Sequence, residues 1–115
     1  MSRRSAAATG LAATAPVFAA LGDETRLALI TRLGSEGPQS ITRLTDGSHV
    51  SRQAVTKHLK VLAGAGLVRD VRRGRERIWV VDSAPLDEAR RYLEQVSSQW
   101  DAALSRLERL VEEDE

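Results

Sequence analysis

The last third of the chain carries one apolar stripe that the chain has little means of covering. From Leu86, just after Pro85, to about Val111, the residues Leu86, Ala89, Leu93, Val96, Trp100, Ala103, Leu107 and Leu110 recur in alternating steps of three and four. That spacing predicts a long amphipathic helix with a heptad-like seam. A chain of 115 residues has material for one modest core and none for a second. A seam of nearly four repeats therefore calls for an outside partner, and a second copy of the chain supplies one most directly. Leu93, Val96, Trp100, Leu104 and Leu107 are the candidate contacts on this helix.

The remaining segments are shorter and well punctuated. Val17, Phe18 and Leu21 fall three to four apart and predict a first helix over about 15–22, closing at Gly22. Asp23 stands where an N-cap acceptor belongs and Glu24 suits the positive end of a helix dipole. Leu27, Ile30 and Leu33 give the second helix its inner stripe, ending near Gly34. Gly37-Pro38 breaks the chain, Ser40 caps a short third helix with Ile41 and Leu44 inward, and Asp46-Gly47 marks a turn. Ser51 caps a fourth helix whose buried side is Val55, Leu59 and Leu62 and whose end is Gly64 and Gly66. Two β-prone runs, L-V-R-D-V-R-R and R-I-W-V-V-D, flank Gly74 as a hairpin with an Arg-rich tip.

The class is mainly α with a small β-hairpin, in one domain over 15–115 without repeat or linker. Residues 1–14 read as a disordered tail. An export signal, suggested by the early Arg pair and the Ala-rich run, is the weaker alternative: the run has very little Leu, Ile or Val, and cleavage after Ala20 would cut into a helix entrance. No run of 18 apolar residues exists to span a membrane. The absence of cysteine excludes disulfides, thiolate metal sites and cysteine nucleophiles, and it fits a cytoplasmic setting.

The net charge of +1 conceals an asymmetry. Residues 40–80 carry nine Lys or Arg against three acids, a net +6, while residues 81–115 carry four against ten, a net −6. A basic middle beside an acidic end points to a surface that meets an anion, most economically nucleic acid. The basic middle also has a shape. A short helix, a tight turn and a second helix with a polar outer side form a helix-turn-helix, whose second helix enters the major groove of a DNA duplex. In that second helix Ser51, Arg52, Gln53, Thr56, Lys57 and Lys60 gather on one side. Arg52 and Gln53 come early enough to read base edges, and Lys57 and Lys60 suit phosphates. The appended hairpin makes the motif winged, with Arg72, Arg73, Arg75 and Arg77 suited to phosphates or the adjacent minor groove. Taken alone the helix face could be an ordinary solvated one; the turn, the hairpin and the charge together favour DNA.

Two stretches also carry a resemblance. F-A-A-L-G-D-E-T-R-L-A-L-I-T-R-L, followed by V-S-R-Q-A-V-T-K-H-L-K-V-L-A-G-A-G-L-V and the Arg-rich hairpin, resembles the ArsR/SmtB family of winged helix-turn-helix regulators from about Val17 to Val111. The resemblance implies a homodimer built from the first and last helices, which adds Val17, Phe18 and Leu21 to the interface. It further implies an inverted-repeat operator and action as a repressor. The ending from Pro85 is similar to a subgroup encoded beside START-like proteins. Metal-sensing members use Cys pairs, or Asp and His on the last helix; this chain has neither, with its histidines at His49 and His58. No three or four ligands converge at a useful spacing, so no metal or other cofactor is expected.

No nucleophile-base arrangement, phosphate-cradling Gly loop or carboxylate pair suggests an enzyme. Trp79 and Trp100 sit at apolar periodic positions and read as core and seam. The rival to a DNA-binding dimer is a protein-interaction module in which the last helix recognises a partner and the basic face is incidental. No effector pocket is legible.

Overall fold

A computed structural model describes residues 3–113, with side chains from residue 12 onward. In chain order the elements are α1 (Arg3–Leu21), α2 (Glu24–Glu36), β1 (Gln39–Ser40), α3 (Ile41–Asp46), α4 (Arg52–Gly64), β2 (Val68–Arg73), β3 (Glu76–Val81) and α5 (Ser83–Glu113). The helical backbone of α1 starts at Arg3, well before the start near residue 15 that periodicity gives and across most of the tail expected over 1–14. The run is rich in Ala, the strongest helix former, which an apolar-period argument does not count. Residues 1–2 and the side chains of the Arg pair lie outside the described residues.

The packing of α4 organises the rest. The Ser51 hydroxyl accepts the Ala54 N–H at 3.2 Å and opens the helix. Val55, Leu59 and Leu62 then fall on one side and are wholly buried. The far end is a Schellman closure: Leu67 N–H donates to the Leu62 carbonyl and Gly66 N–H to that of Ala63. Gly66 takes φ +77°, the left-handed backbone this closure needs. Leu67, itself fully buried, thereby leads into β2 in a fixed direction.

Asp23 caps α2 as expected, its carboxylate accepting the Arg26 N–H at 3.0 Å. The inner stripe differs from expectation. Leu29 and Leu33 are buried and Ile30 is half-buried, but Leu27 is 48% exposed because it shares its side of the helix with Glu24 and Thr31. The helix also passes Gly34 and ends at Gly37, whose N–H donates to the Leu33 carbonyl at 3.0 Å. Ser40 caps α3 through the Arg43 N–H at 3.3 Å.

The hairpin pairs antiparallel from Val68↔Val81 to Arg73↔Glu76. Gly74 has φ +65° and among the described residues no non-glycine has positive φ, which fits a two-residue type II′ turn of Gly74 and Arg75. A third strand escaped the sequence reading: β1 pairs with β3 through Gln39↔Trp79 and Ser40↔Ile78, giving the order β1-β3-β2. Two residues are too few for an alternation pattern to show.

Asp82 accepts the Ala84 N–H at 3.1 Å and opens α5 at Ser83, three residues before the expected start. Pro85 sits in the first turn, where its missing N–H costs no hydrogen bond. Ala89 reaches the core and Tyr92 meets Phe18 with ring centroids 6.0 Å apart. Beyond that point α5 leaves the body. A helix of 31 residues spans about 46 Å, and the molecule measures 69 Å along its longest axis.

Leu59→Ala should lower unfolding free energy by about 2–5 kcal/mol, as for other fully buried leucines. Lys60→Ala, one residue along the same helix, should stay within about 0.5 kcal/mol. Urea denaturation followed by circular dichroism compares the two.

Candidate nucleic-acid interface

Burying Val55, Leu59 and Leu62 forces the other side of α4 outward. Ser51, Arg52, Gln53, Ala54, Thr56, Lys57 and Lys60 line one open surface groove, so the structure brings together all six residues predicted on this helix. Arg52, Gln53, Lys57 and Lys60 are exposed, and none of the three cations forms an ion pair among the described residues. Thr56 is half-buried and its hydroxyl donates to the Arg52 carbonyl at 2.9 Å, which leaves its oxygen as an acceptor on the face.

The wing places Arg72, Arg73, Arg75 and Arg77 in solvent. They are not equivalent. Arg77 Nε lies 3.4 Å from Asp70 Oδ2, a diagonal cross-strand pair on the side of the sheet that also carries Trp79. Arg72 stands opposite Arg77 in the register, and of these two like charges Asp70 pairs with that of Arg77. Arg73 stands opposite Glu76 and Arg75 occupies the turn, so Arg72 and Arg75 carry the least compensated charge of the tip.

Other predicted positions divide. Leu93 (53%), Trp100 (65%), Leu104 and Leu107 are exposed and Val96 is half-buried, a continuous apolar stripe on the free part of α5. Phe18 and Leu21 are half-buried against the core. Val17 is 3% exposed inside its own chain, which removes it from the candidate interface residues. His49 is exposed in the α3–α4 turn, and His58 turns towards α2 rather than into the groove face. Among the described residues no three His, Asp or Glu side chains cluster as metal ligands, and no helix is long and apolar enough to cross a membrane.

Sequence reasoning missed one arrangement. Arg26 on α2 donates from Nε to the Ala20 carbonyl at 2.6 Å and from Nη2 to that of Ala19 at 3.5 Å, meeting carbonyls in the last turn of α1, where that of Ala19 also accepts the Gly22 N–H at 3.2 Å. Its Nη1 lies 3.3 Å from His58 Nδ1 on α4, and the Asp23 carboxylate lies 3.8 Å from that nitrogen. The only local signal in the sequence was the Asp23 cap.

A helix-turn-helix with its second helix turned cationic side outward, followed by a basic hairpin, defines a winged helix-turn-helix DNA-binding regulator. Comparison with known proteins narrows the class. Residues 21–71 match a family model described as a helix-turn-helix domain. The HTH-type transcriptional regulator Rv2034 of Mycobacterium tuberculosis is 38% identical over 93 residues, covering 81% of this chain and 83% of the relative. A solved ArsR-like transcriptional regulator from Rhodococcus sp. RHA1 is 40% identical with a TM-score of 0.75, covering 86% of this chain and 92% of the other. The homodimeric winged helix-turn-helix DNA-binding domain of Mb0332 from Mycobacterium bovis, a possible ArsR-family regulator, is 27% identical with a TM-score of 0.64, covering 86% and 88%. The chain belongs to the ArsR/SmtB family of winged helix-turn-helix transcriptional regulators.

The capping hydrogen bond from the Arg26 N–H, followed by the nearby positive charge of Arg26, holds the Asp23 carboxyl below its ordinary value of 3.8. Hydrogen bonds from Gln39 and Arg32 lower Glu36 in the same way. A depressed folded-state value means that the stabilisation is complete above the unfolded carboxylate value and is lost as pH falls through the folded one. Thermal melts should therefore show a gap between wild type and Asp23→Asn at pH 7 that narrows below about pH 4, the unfolded carboxylate range.

Proposed function

We propose that the protein is a homodimeric, sequence-specific regulator of double-stranded DNA, acting as a repressor at an inverted-repeat operator. One observation carries this reading: the side of α4 opposite its fully buried stripe presents Arg52, Gln53, Lys57 and Lys60 together in one groove. Arg52 and Gln53, in the first turn, reach base edges. Lys57 and Lys60 hold phosphates, and Arg72, Arg73 and Arg75 of the wing extend that contact along the backbone or into the neighbouring minor groove. Arg77, paired with Asp70, stiffens the wing. Repression follows from occupying promoter DNA that polymerase needs.

The exposed stripe of α5, with Phe18 and Leu21 of α1 at its base, supports pairing with a second copy. The homodimeric state of the Mycobacterium bovis relative supports it too. Two copies about a two-fold axis present their α4 helices to half-sites roughly 34 Å apart, one turn of the duplex. No catalytic step, cofactor or metal enters this mechanism, and its setting is the cytoplasm, where the DNA is.

Affinity for a selected operator should fall steeply with salt. Lys57→Ala and Arg75→Ala should weaken binding to all duplexes alike, whereas Gln53→Ala should relax preference at one base position by about 1–3 kcal/mol. Titrations against a panel of single-base operator variants separate the two behaviours, and identical profiles for all three variants would refute the division of roles. The double variant Trp100→Glu with Leu107→Glu should sediment as a monomer and lose tight operator binding. Unchanged DNA affinity in that monomer would mean that the seam serves another protein.

A further inference from the structure

The Arg26 junction joins three helices with different tasks in the proposed dimer. Its guanidinium closes the end of α1 through Ala20 and Ala19, and its own N–H belongs to the Asp23 cap of α2. The same guanidinium reaches His58 of α4 at 3.3 Å. Arginine has no acceptor, so the hydrogen bond between the two has Nη1 donating and His58 Nδ1 accepting, which requires the tautomer with its proton on Nε2. The group is sheltered: His58 is 22% and Asp23 35% exposed at the side chain. Apolar contacts behind α4 hold its rotation about its own axis but, having no direction of their own, resist a tilt of that axis against α1 and α2 less. A hydrogen bond with a charged donor does have direction.

We infer that Arg26 is a positioning residue for operator recognition, setting the angle of α4 against α1 by donating to His58 and so fixing the spacing of half-sites that the dimer accepts. The inference rests on the DNA-binding reading above. Its leverage follows from helix geometry. Arg52 lies six residues from His58, about 9 Å along the axis, so a tilt of about 10° at His58 moves the base-reading end by about 1.5 Å. The two-fold axis doubles that to about 3 Å, close to the roughly 3.4 Å rise of one base step. A small angular error at the junction is thus an error of one base pair in spacing.

The test uses the full-length protein and duplexes that the wild type selects from a random pool. Wild type, Arg26→Gln, His58→Leu and His58→Asn are titrated against the selected duplex, against versions with one base pair added or removed between half-sites, and against a single half-site. Wild type should prefer the selected spacing. Arg26→Gln and His58→Leu should lose that preference by roughly tenfold, the scale of one hydrogen bond to a charged group, with single half-site affinity little changed. His58→Asn should keep most of the preference, because its amide oxygen stands near the place of Nδ1. Folded Arg26→Gln and His58→Leu proteins with wild-type spacing preference would overturn the inference. So would a His58→Asn protein no better than His58→Leu, or a loss that falls equally on the single half-site, the mark of a merely structural role. Should Arg26→Gln fail to fold, the two His58 variants decide. A wild type that selects no duplex from the pool would instead bring down the DNA-binding reading itself.

Discussion

Three side chains on one side of α4 determine what the other side can do. Val55, Leu59 and Leu62 are fully buried, and a helix has one rotation about its axis that satisfies all three. That rotation is strongly held, because removing one such leucine from water is worth about 1.5–3 kcal/mol. Arg52, Gln53, Lys57 and Lys60 point outward as a consequence, without any interaction of their own to hold them there. The face is therefore specified by the core behind it, and it stays available because its cations have no partners among the described residues.

The second helix plays a complementary part through two arginines spaced to reach opposite neighbours. Arg26 meets the last carbonyls of α1, while Arg32 donates from Nη1 to the Leu44 carbonyl in the last turn of α3 at 3.1 Å. Both place a cation where a helix dipole is negative. Glu36 grips Arg32 at 2.8 Å, and a side chain at Gly47 would press into that guanidinium. The turn between α3 and α4 is thereby tied to α2 as firmly as α1 is. In this way the scaffold around α4 is polar at its corners and apolar along its middle.

Much of this was legible in advance because it is local or periodic. The caps at Asp23, Ser40 and Ser51, the buried stripe of α4, the hairpin at Gly74 and the seam of α5 each announce themselves within about ten residues. What escaped depends on distance in sequence. β1 exists because Gln39 and Ser40 lie beside β3, not because of anything in those two residues. Leu27 looked inward because steps of three continue a stripe, yet the core lies nearer Leu29, and only the placement of α4 decides between them. The Arg26–His58 contact spans 32 positions and has no periodicity to betray it. At the candidate interface the grouping of cations on one side of α4 was legible from helical spacing, whereas the difference between Arg77 and its neighbours follows from a register that puts Asp70 within reach.

The two-residue turn of the wing has a consequence of its own. Gly74 supplies the left-handed backbone and Arg75 completes the reversal, so the tip has no slack between its strands. A longer, floppy tip would surrender its freedom at the moment of docking, at a cost that grows with each residue that must become still. Here that freedom was already given up when the chain folded. Under the proposed function the arm meets a duplex as a finished tool, and variation in its grip comes from exchanging the side chains it displays while its shape stays constant.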